Sequence, residues 1–190
     1  NGFIRISDLT SEQESIAKKY GGVYVFDEKL EREIDKREEE RRIMTKGLSG
    51  KKLAENRYAV DMTPVNEKLP RVLSNGKRYY VTTRDYGNDF KKQAWIPERY
   101  SDLIVNYIGK DYEKFKPSMS FDYFYVDNDQ IVPISLSVTY SYKVAKFGLF
   151  GDEASGIRFK EIYYSYVIGG NRFEFINNKF EKVSTSDKDK

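Results

Sequence analysis

From Val132 to Val144 the chain alternates without interruption. Val132, Ile134, Leu136, Val138, Tyr140, Tyr142 and Val144 fall on one side, and Pro133, Ser135, Ser137, Thr139, Ser141 and Lys143 on the other. A period of two over this length requires a long β-strand, because a helix would gather residues three and four apart on one face. One face of this strand is apolar and the other small and hydroxylated, with Pro133 placed near the strand start or on an edge. The flanking segments extend the pattern. Met119 to Asp127 reads as a strand, Asp127-Asn128-Asp129 as its turn, and Ile157 to Ile168 as the next long strand. Gly169-Gly170-Asn171 leads into Arg172–Ile176, and Asn177-Asn178 into a last short strand ending near Val183. Met119 to Val183 is therefore expected to form a C-terminal four-strand antiparallel meander followed by the last short strand, with Gly148 to Gly156 as a loop.

The residues before the meander are mostly helical. Ser11-Glu12-Gln13-Glu14 has the form of a capping box opening a helix to Tyr20, closed by Gly21-Gly22. Val23 to Phe26 is a short apolar strand. Asp27 is the expected N-cap of a second helix reaching about Lys46, with Gly47 near its end. In this helix Leu30 and Ile34 mark one buried face and Ile43 and Met44 another, while Lys36 to Arg42 is charged all round. Glu28–Arg32, Glu33–Arg37 and Glu38–Arg42 are spaced as i,i+4 pairs with the acid first, each contributing about 0.2–0.5 kcal/mol. Such a helix is anchored at both ends and solvated in the middle.

Leu48 to Asn56 reads as a loop, Tyr58 to Met62 as a strand, and Pro64 to Pro70 as irregular. Asn75-Gly76 between Arg71–Ser74 and Lys77–Thr83 predicts a β-hairpin with a type I′ turn. Asp85 to Ala94 reads as a polar loop. After Pro97, Tyr100, Leu103, Ile104, Tyr107 and Ile108 form an amphipathic stripe ended by Gly109.

The fold class expected is α+β: helices packed on a curved antiparallel sheet. It forms a single domain over 1–183, helical over 1–57, with hairpin, helix and meander over 58–183 and a polar tail at 184–190. The element order resembles the NTF2-like, cone-shaped folds, in which a curved sheet wraps a long helix. That resemblance implies either an assembly domain, as in the periplasmic part of type IV secretion systems, or a small-ligand pocket.

Composition removes several chemistries. The 190 residues contain neither Cys nor His, so zinc sites of the Cys/His kind, thiol nucleophiles and Ser-His-Asp triads are excluded. No cofactor and no metal site is expected. The formal charge of +3 is too small to demand a polyanion. The apolar content is instead aromatic, with 16 Tyr and 12 Phe.

Three groups of residues are candidate sites. Lys77, Arg78, Tyr79, Tyr80, Arg84, Tyr86, Lys91, Lys92 and Trp95 alternate aromatic and basic character, as base-stacking surfaces do. A hairpin followed by a solvated loop accounts for them better. Asp122, Asp127, Asp129, Asp152, Glu153 and Glu161 offer carboxylates, but Asp127-Asn128-Asp129 is too short for a calcium loop and suits a turn. Tyr123, Tyr125, Tyr140, Tyr142, Tyr163, Tyr164 and Tyr166 supply rigid amphipathic rings of the kind protein interfaces use.

The function expected is non-enzymatic protein–protein interaction or assembly, in a bacterial cell envelope or a secretion- or conjugation-type system. Docking is assigned to Tyr123, Tyr125, Tyr163, Tyr164, Tyr166, Trp95, Arg37 and Arg41. The partners are proteins, self-association included. The alternatives are a ligand-binding, hydrolytic or isomerase-type cone pocket and, third, a nucleic-acid-binding accessory protein. The first residue is Asn1 rather than Met, which is read as a removed signal peptide, membrane anchor or tag, and hence as an extracytoplasmic location.

Overall fold

The computed structural model describes residues 4–48, 51–54, 57–150 and 158–184. In order the elements are β1 (Ile4–Ser7), α1 (Ser11–Tyr20), β2 (Gly22–Val25), α2 (Glu28–Lys46), β3 (Lys51–Ala54), β4 (Arg57–Ala59), α3 (Thr63–Lys68) and β5 (Tyr79–Tyr80). They continue with α4 (Thr83–Phe90), α5 (Glu98–Ile108), α6 (Asp111–Lys114), β6 (Ser118–Asp127), β7 (Gln130–Phe150), β8 (Arg158–Val167), β9 (Asn171–Ile176) and β10 (Lys179–Val183). Among the described residues the fold is α+β, with six helices and an eight-stranded, mostly antiparallel sheet. Its order is β10-β9-β2-β7-β6-β5, with β1 and β8 also paired to β7, and β3 and β4 form a separate pair. The meander runs through β6, β7 and β8. It is then interrupted, because β2 lies between β7 and β9.

The chain groups into two compact units. The first takes residues up to Tyr24, Glu98–Ser120 and Leu136 onward; the second takes Val25–Pro97 and Phe121–Ser135. The first is centred on Tyr24, which stacks on Phe173 at 4.4 Å and meets Phe180 edge-on at 5.1 Å. Its hydroxyl donates to the Tyr20 carbonyl at 2.7 Å, so the ring is buried without an orphaned donor. Asn171 of β9 ties α1 to the sheet by donating its side-chain amide to the carbonyls of Lys18, Lys19 and Gly21.

The second unit covers both faces of a sheet. Tyr79 and Tyr80 alternate across β5, and each fills a core of its own. Tyr79 packs with Ile34, Leu73 and Ile134; Tyr80 packs with Tyr86, Ala94 and Phe124. The Tyr80 ring stacks on Phe124 at 5.3 Å and its hydroxyl donates to Asp89 at 2.6 Å. Burial, with the Asp89 carboxylate behind it, pushes the Tyr80 hydroxyl up to about 12, and burial with Glu38 raises Tyr79 further. A raised folded-state value contributes stability that is intact below the ordinary tyrosine range near ~10 and is lost as pH rises through the folded value. Ultraviolet titration at 295 nm should therefore show a late-ionising tyrosine class that appears together with unfolding. In Tyr80→Phe that class should shrink. Complete ionisation of all tyrosines near pH ~10 with retained fold would refute this burial.

Several local expectations are corrected. The first helix is capped by Thr10, not Ser11: Thr10 Oγ1 accepts from Gln13 N at 3.1 Å and Gln13 Oε1 accepts from Thr10 N at 3.1 Å. The capping box thus starts one residue earlier, with Gln as its second member. The Asn75-Gly76 hairpin closes a three-residue loop, Leu73 N donating to the Lys77 carbonyl at 2.8 Å. Of its residues only Gly76 has positive φ (80°), so the turn is not type I′. Asp85 to Ala94 is largely helical rather than a loop. Thr82 caps α4, Tyr86 and Phe90 stack one turn apart at 4.8 Å, and Lys91 ends the helix at φ 55°. Pro64 lies in the first turn of α3, where its missing N–H costs nothing, so this stretch is helical too. Lys51–Ala54 is a strand paired with β4. Strand β7 runs on through Gly148 to Phe150, while 151–157 and 185–190 lie outside the described residues.

Helix α2 has the expected caps, Asp27 and Gly47, but its middle is docked rather than solvated. Glu28–Arg32 forms as spaced. Glu33 instead accepts from Ser74 N and Oγ, and Glu38 from Arg71, while Arg42 pairs with Glu39 at 2.5 Å. Acceptors and donors on the 66–74 segment outcompete the i,i+4 partners, whose contribution is small.

Candidate functional site

The first unit carries an open sheet face built on the far half of β7. Strand β1 pairs with β7 in the register Ile4↔Phe147 and Ile6↔Ala145. Strand β8 pairs with it as Ala145↔Ile162, Lys143↔Tyr164 and Ser141↔Tyr166. Directly opposed residues of an antiparallel pair project to the same side. Ile4, Ile6, Phe147, Ala145, Ile162, Tyr164 and Tyr166 therefore share one face. Ile4, Ile6, Ile162, Tyr164 and Tyr166 are between 54% and 64% exposed, and Ile168, just past β8, is 91% exposed. Five large apolar side chains grouped on one side differ from the scattered exposed leucines any surface shows.

The opposite face is partly covered. Val144 is fully buried there, Tyr163 lies beside it in register, and Arg5 and Lys146 approach the Tyr163 ring at 5.8 and 5.1 Å. Helix α1 packs against β8. Among the described side chains of β8 the aromatic ones divide by parity, Tyr163 half-buried on one side and Tyr164 and Tyr166 exposed on the other.

The open face carries two lysines and one carboxylate, Asp8, which lies opposite Lys143. Lys143 is exposed and its ammonium stands 6.0 Å from the Tyr164 ring; exposed Lys160 stands 5.7 Å from the Phe147 ring. Asp8, next to Ile6 in the β1 direction, turns its carboxylate to the Lys143 backbone N–H at 2.8 Å. Glu161 is opposed to Lys146 on the other face. At one end the face continues into an apolar cleft of about 250 Å³, where Tyr166 and Ile168 meet Val23, Ser137, Val138 and Thr139.

The other residues assigned to docking lie elsewhere. Tyr123 and Tyr125 belong to the second unit and pack against the Ile34–Tyr79 core, the Tyr123 hydroxyl donating to Asp35 at 2.7 Å. Their alternation on β6 reads the same as that of β8, and only the helix covering them makes the difference. Arg41 is 4% exposed and spends its guanidinium on the Leu69 carbonyl at 2.6 Å and Asn66 Oδ1 at 2.8 Å. Arg37 donates to the Pro70 carbonyl. Both arginines hold the 66–70 segment to α2. Trp95 is exposed, in the second unit. Tyr140 and Tyr142 belong to β7, Tyr140 fully buried.

Of the aromatic-basic stretch, Tyr79, Tyr80 and Tyr86 are all buried and offer no ring face for stacking. Of the carboxylates, Asp127 pairs with Lys77 at 2.8 Å, and Asn128 and Asp129 take φ of 49° and 60°, the turn geometry expected of them. Asp152 and Glu153 lie outside the described residues. Among the described residues no three carboxylates converge on a point that would hold a metal ion, and no helix is long and apolar enough to cross a membrane.

The sequence reading missed Ile4, Ile6, Ile162 and Ile168. Their signal was present as Ile4-Arg5-Ile6 and as alternate positions along 162–168. No protein-family model, curated protein or solved structure matches this chain.

Proposed function

We propose that the chain is a non-enzymatic protein-interaction module that docks an extended, acidic segment of another protein on the β1–β7–β8 face. The observation that carries this reading is the run of exposed Ile4, Ile6, Ile162, Tyr164 and Tyr166 on one side of three paired strands. Among the described residues β8 pairs only with β7, so its other edge offers backbone groups to an added strand. The lysines select the occupant. Lys143 and Lys160 beside aromatic rings favour carboxylates, and face-to-face pairing of two copies would set these lysines against each other.

Two synthetic peptides test this, one alternating Ile or Tyr with Glu, the other with Lys in place of Glu. The Glu peptide should bind saturably and the Lys peptide should not. The pair Ile162→Lys and Tyr164→Lys should weaken binding at least about ten-fold, with little change in melting temperature because both side chains are exposed. Equal binding of both peptides, or binding untouched by the substitutions, would overturn the reading. So would concentration-dependent dimerisation abolished by the same pair, or selective binding to anionic vesicles.

A further inference from the structure

The second unit holds a cleft of about 330 Å³ lined by Asn66, Pro70, Arg71, Val72, Arg78 and Asp85, which the docking reading does not use. Its donors are only partly spent. Arg78 lies over the Tyr80 ring at 4.6 Å and directs Nη1 to the carbonyls of Tyr79 and Arg71 at 2.5 and 3.3 Å. Among the described residues its Nε and Nη2 meet no protein acceptor, and neither does Asn66 Nδ2, whose Oδ1 is held by Arg41. Arg71 commits Nε and Nη2 to Glu38 at 2.7 and 2.9 Å and reaches Asp85 with Nη1 at 3.4 Å.

Charge at the cleft is unbalanced in the same sense. Arg71 and Arg78 line the cleft against Asp85, with Arg41 and Glu38 lying behind Arg71. Burial, then the neighbouring charge of Arg71, lowers the Arg41 guanidinium despite Glu38, and Arg78 adds to that effect. Arg41 Nε is buried and without a hydrogen-bond partner. Like charges held this close are an arrangement that an added anion relieves.

We propose that this cleft binds a small oxyanion, a phosphate- or carboxylate-bearing molecule held by Arg78 and Asn66, with Arg71 behind them. The guanidinium fork of Arg78 supplies paired donors of the geometry that carboxylate and phosphate oxygens accept. The Asn66 amide supplies a donor without charge. Asp85 opposes the anion and keeps the affinity modest.

Amide-resolved NMR titration tests the site with inorganic phosphate and acetate in parallel arms, against chloride at matched ionic strength. Saturable shifts at the Asn66 side-chain amide and the Arg78 backbone amide are expected with phosphate, acetate or both, and the stronger arm identifies the class. Arg78→Gln should weaken binding about ten-fold or more, and Arg78→Lys should fall between. Arg32→Gln, a helix-surface control, should leave it unchanged. Asp85→Asn should tighten binding by a few-fold, a gain that partial unfolding cannot imitate. Shifts that chloride reproduces, shifts that survive Arg78→Gln, or an Asp85→Asn variant that binds no more tightly would each overturn the proposal.

Discussion

Gly22→Ala is expected to destabilise the protein by about 3 kcal/mol or more. Two penalties coincide. Gly22 sits at φ 150°, which an L side chain rarely adopts, and a Cβ there would be driven into the Asn171 carbonyl. Asn171 cannot retreat, because its side chain is already shared among the carbonyls of Lys18, Lys19 and Gly21. Relief would require parting β2 from β9, and with it the Tyr24–Phe173 stack. Urea unfolding by circular dichroism measures the loss. Gly170→Ala is the control: open space surrounds that position, so a small change is expected. A Gly22→Ala variant as stable as Gly170→Ala would refute the close approach.

Glu38→Gln comes second, at roughly 2–3 kcal/mol at neutral pH, below the ~3–5 kcal/mol of a fully buried pair because the carboxylate keeps some solvent contact. Glu38 accepts both arms of Arg71 and the Tyr79 hydroxyl at 2.8 Å, and it faces Arg41. Burial alone would raise its carboxyl. The bonds from Arg71 and Tyr79 and the two guanidinium charges outweigh burial and hold it below the ordinary value. A depressed carboxyl contributes stability that is present above the ordinary glutamate range and lost as pH falls through the folded value. The stability gap between wild type and Glu38→Gln should therefore be widest near pH 7 and close below pH ~4. A gap independent of pH would show that Glu38 acts through packing rather than charge.

The elements legible from the residues were those whose periodicity runs long. β7 and α5 carry uninterrupted patterns, and Asn128-Asp129 has the chemistry for positive φ that the turn uses. The helices α3 and α4 were hidden because Pro64 and Gly87 are stronger local punctuation than the short helical signals around them. The placement of β2 between β7 and β9 is a long-range choice that no local window contains. At the candidate site, parity along 162–168 was visible, whereas which parity stays uncovered depends on where α1 packs. The burial of Arg41 was illegible for a similar reason: its partners, Leu69 and Asn66, are 28 and 25 residues away.

The bond from Asn171 to the Lys18 carbonyl spans 153 residues. During synthesis the first strand and helix therefore leave the ribosome long before β7, β8 and β9, the strands they pair with or lie against, exist. Closing so long a loop carries an entropic cost before any contact repays it, so the first unit is expected to form late and slowly. Until then Ile4, Ile6 and the apolar side of α1 belong to an unfinished chain, and this interval is where misassociation is most to be expected. The second unit draws most of its residues from the contiguous run Val25–Pro97 and waits only for the Phe121–Ser135 segment.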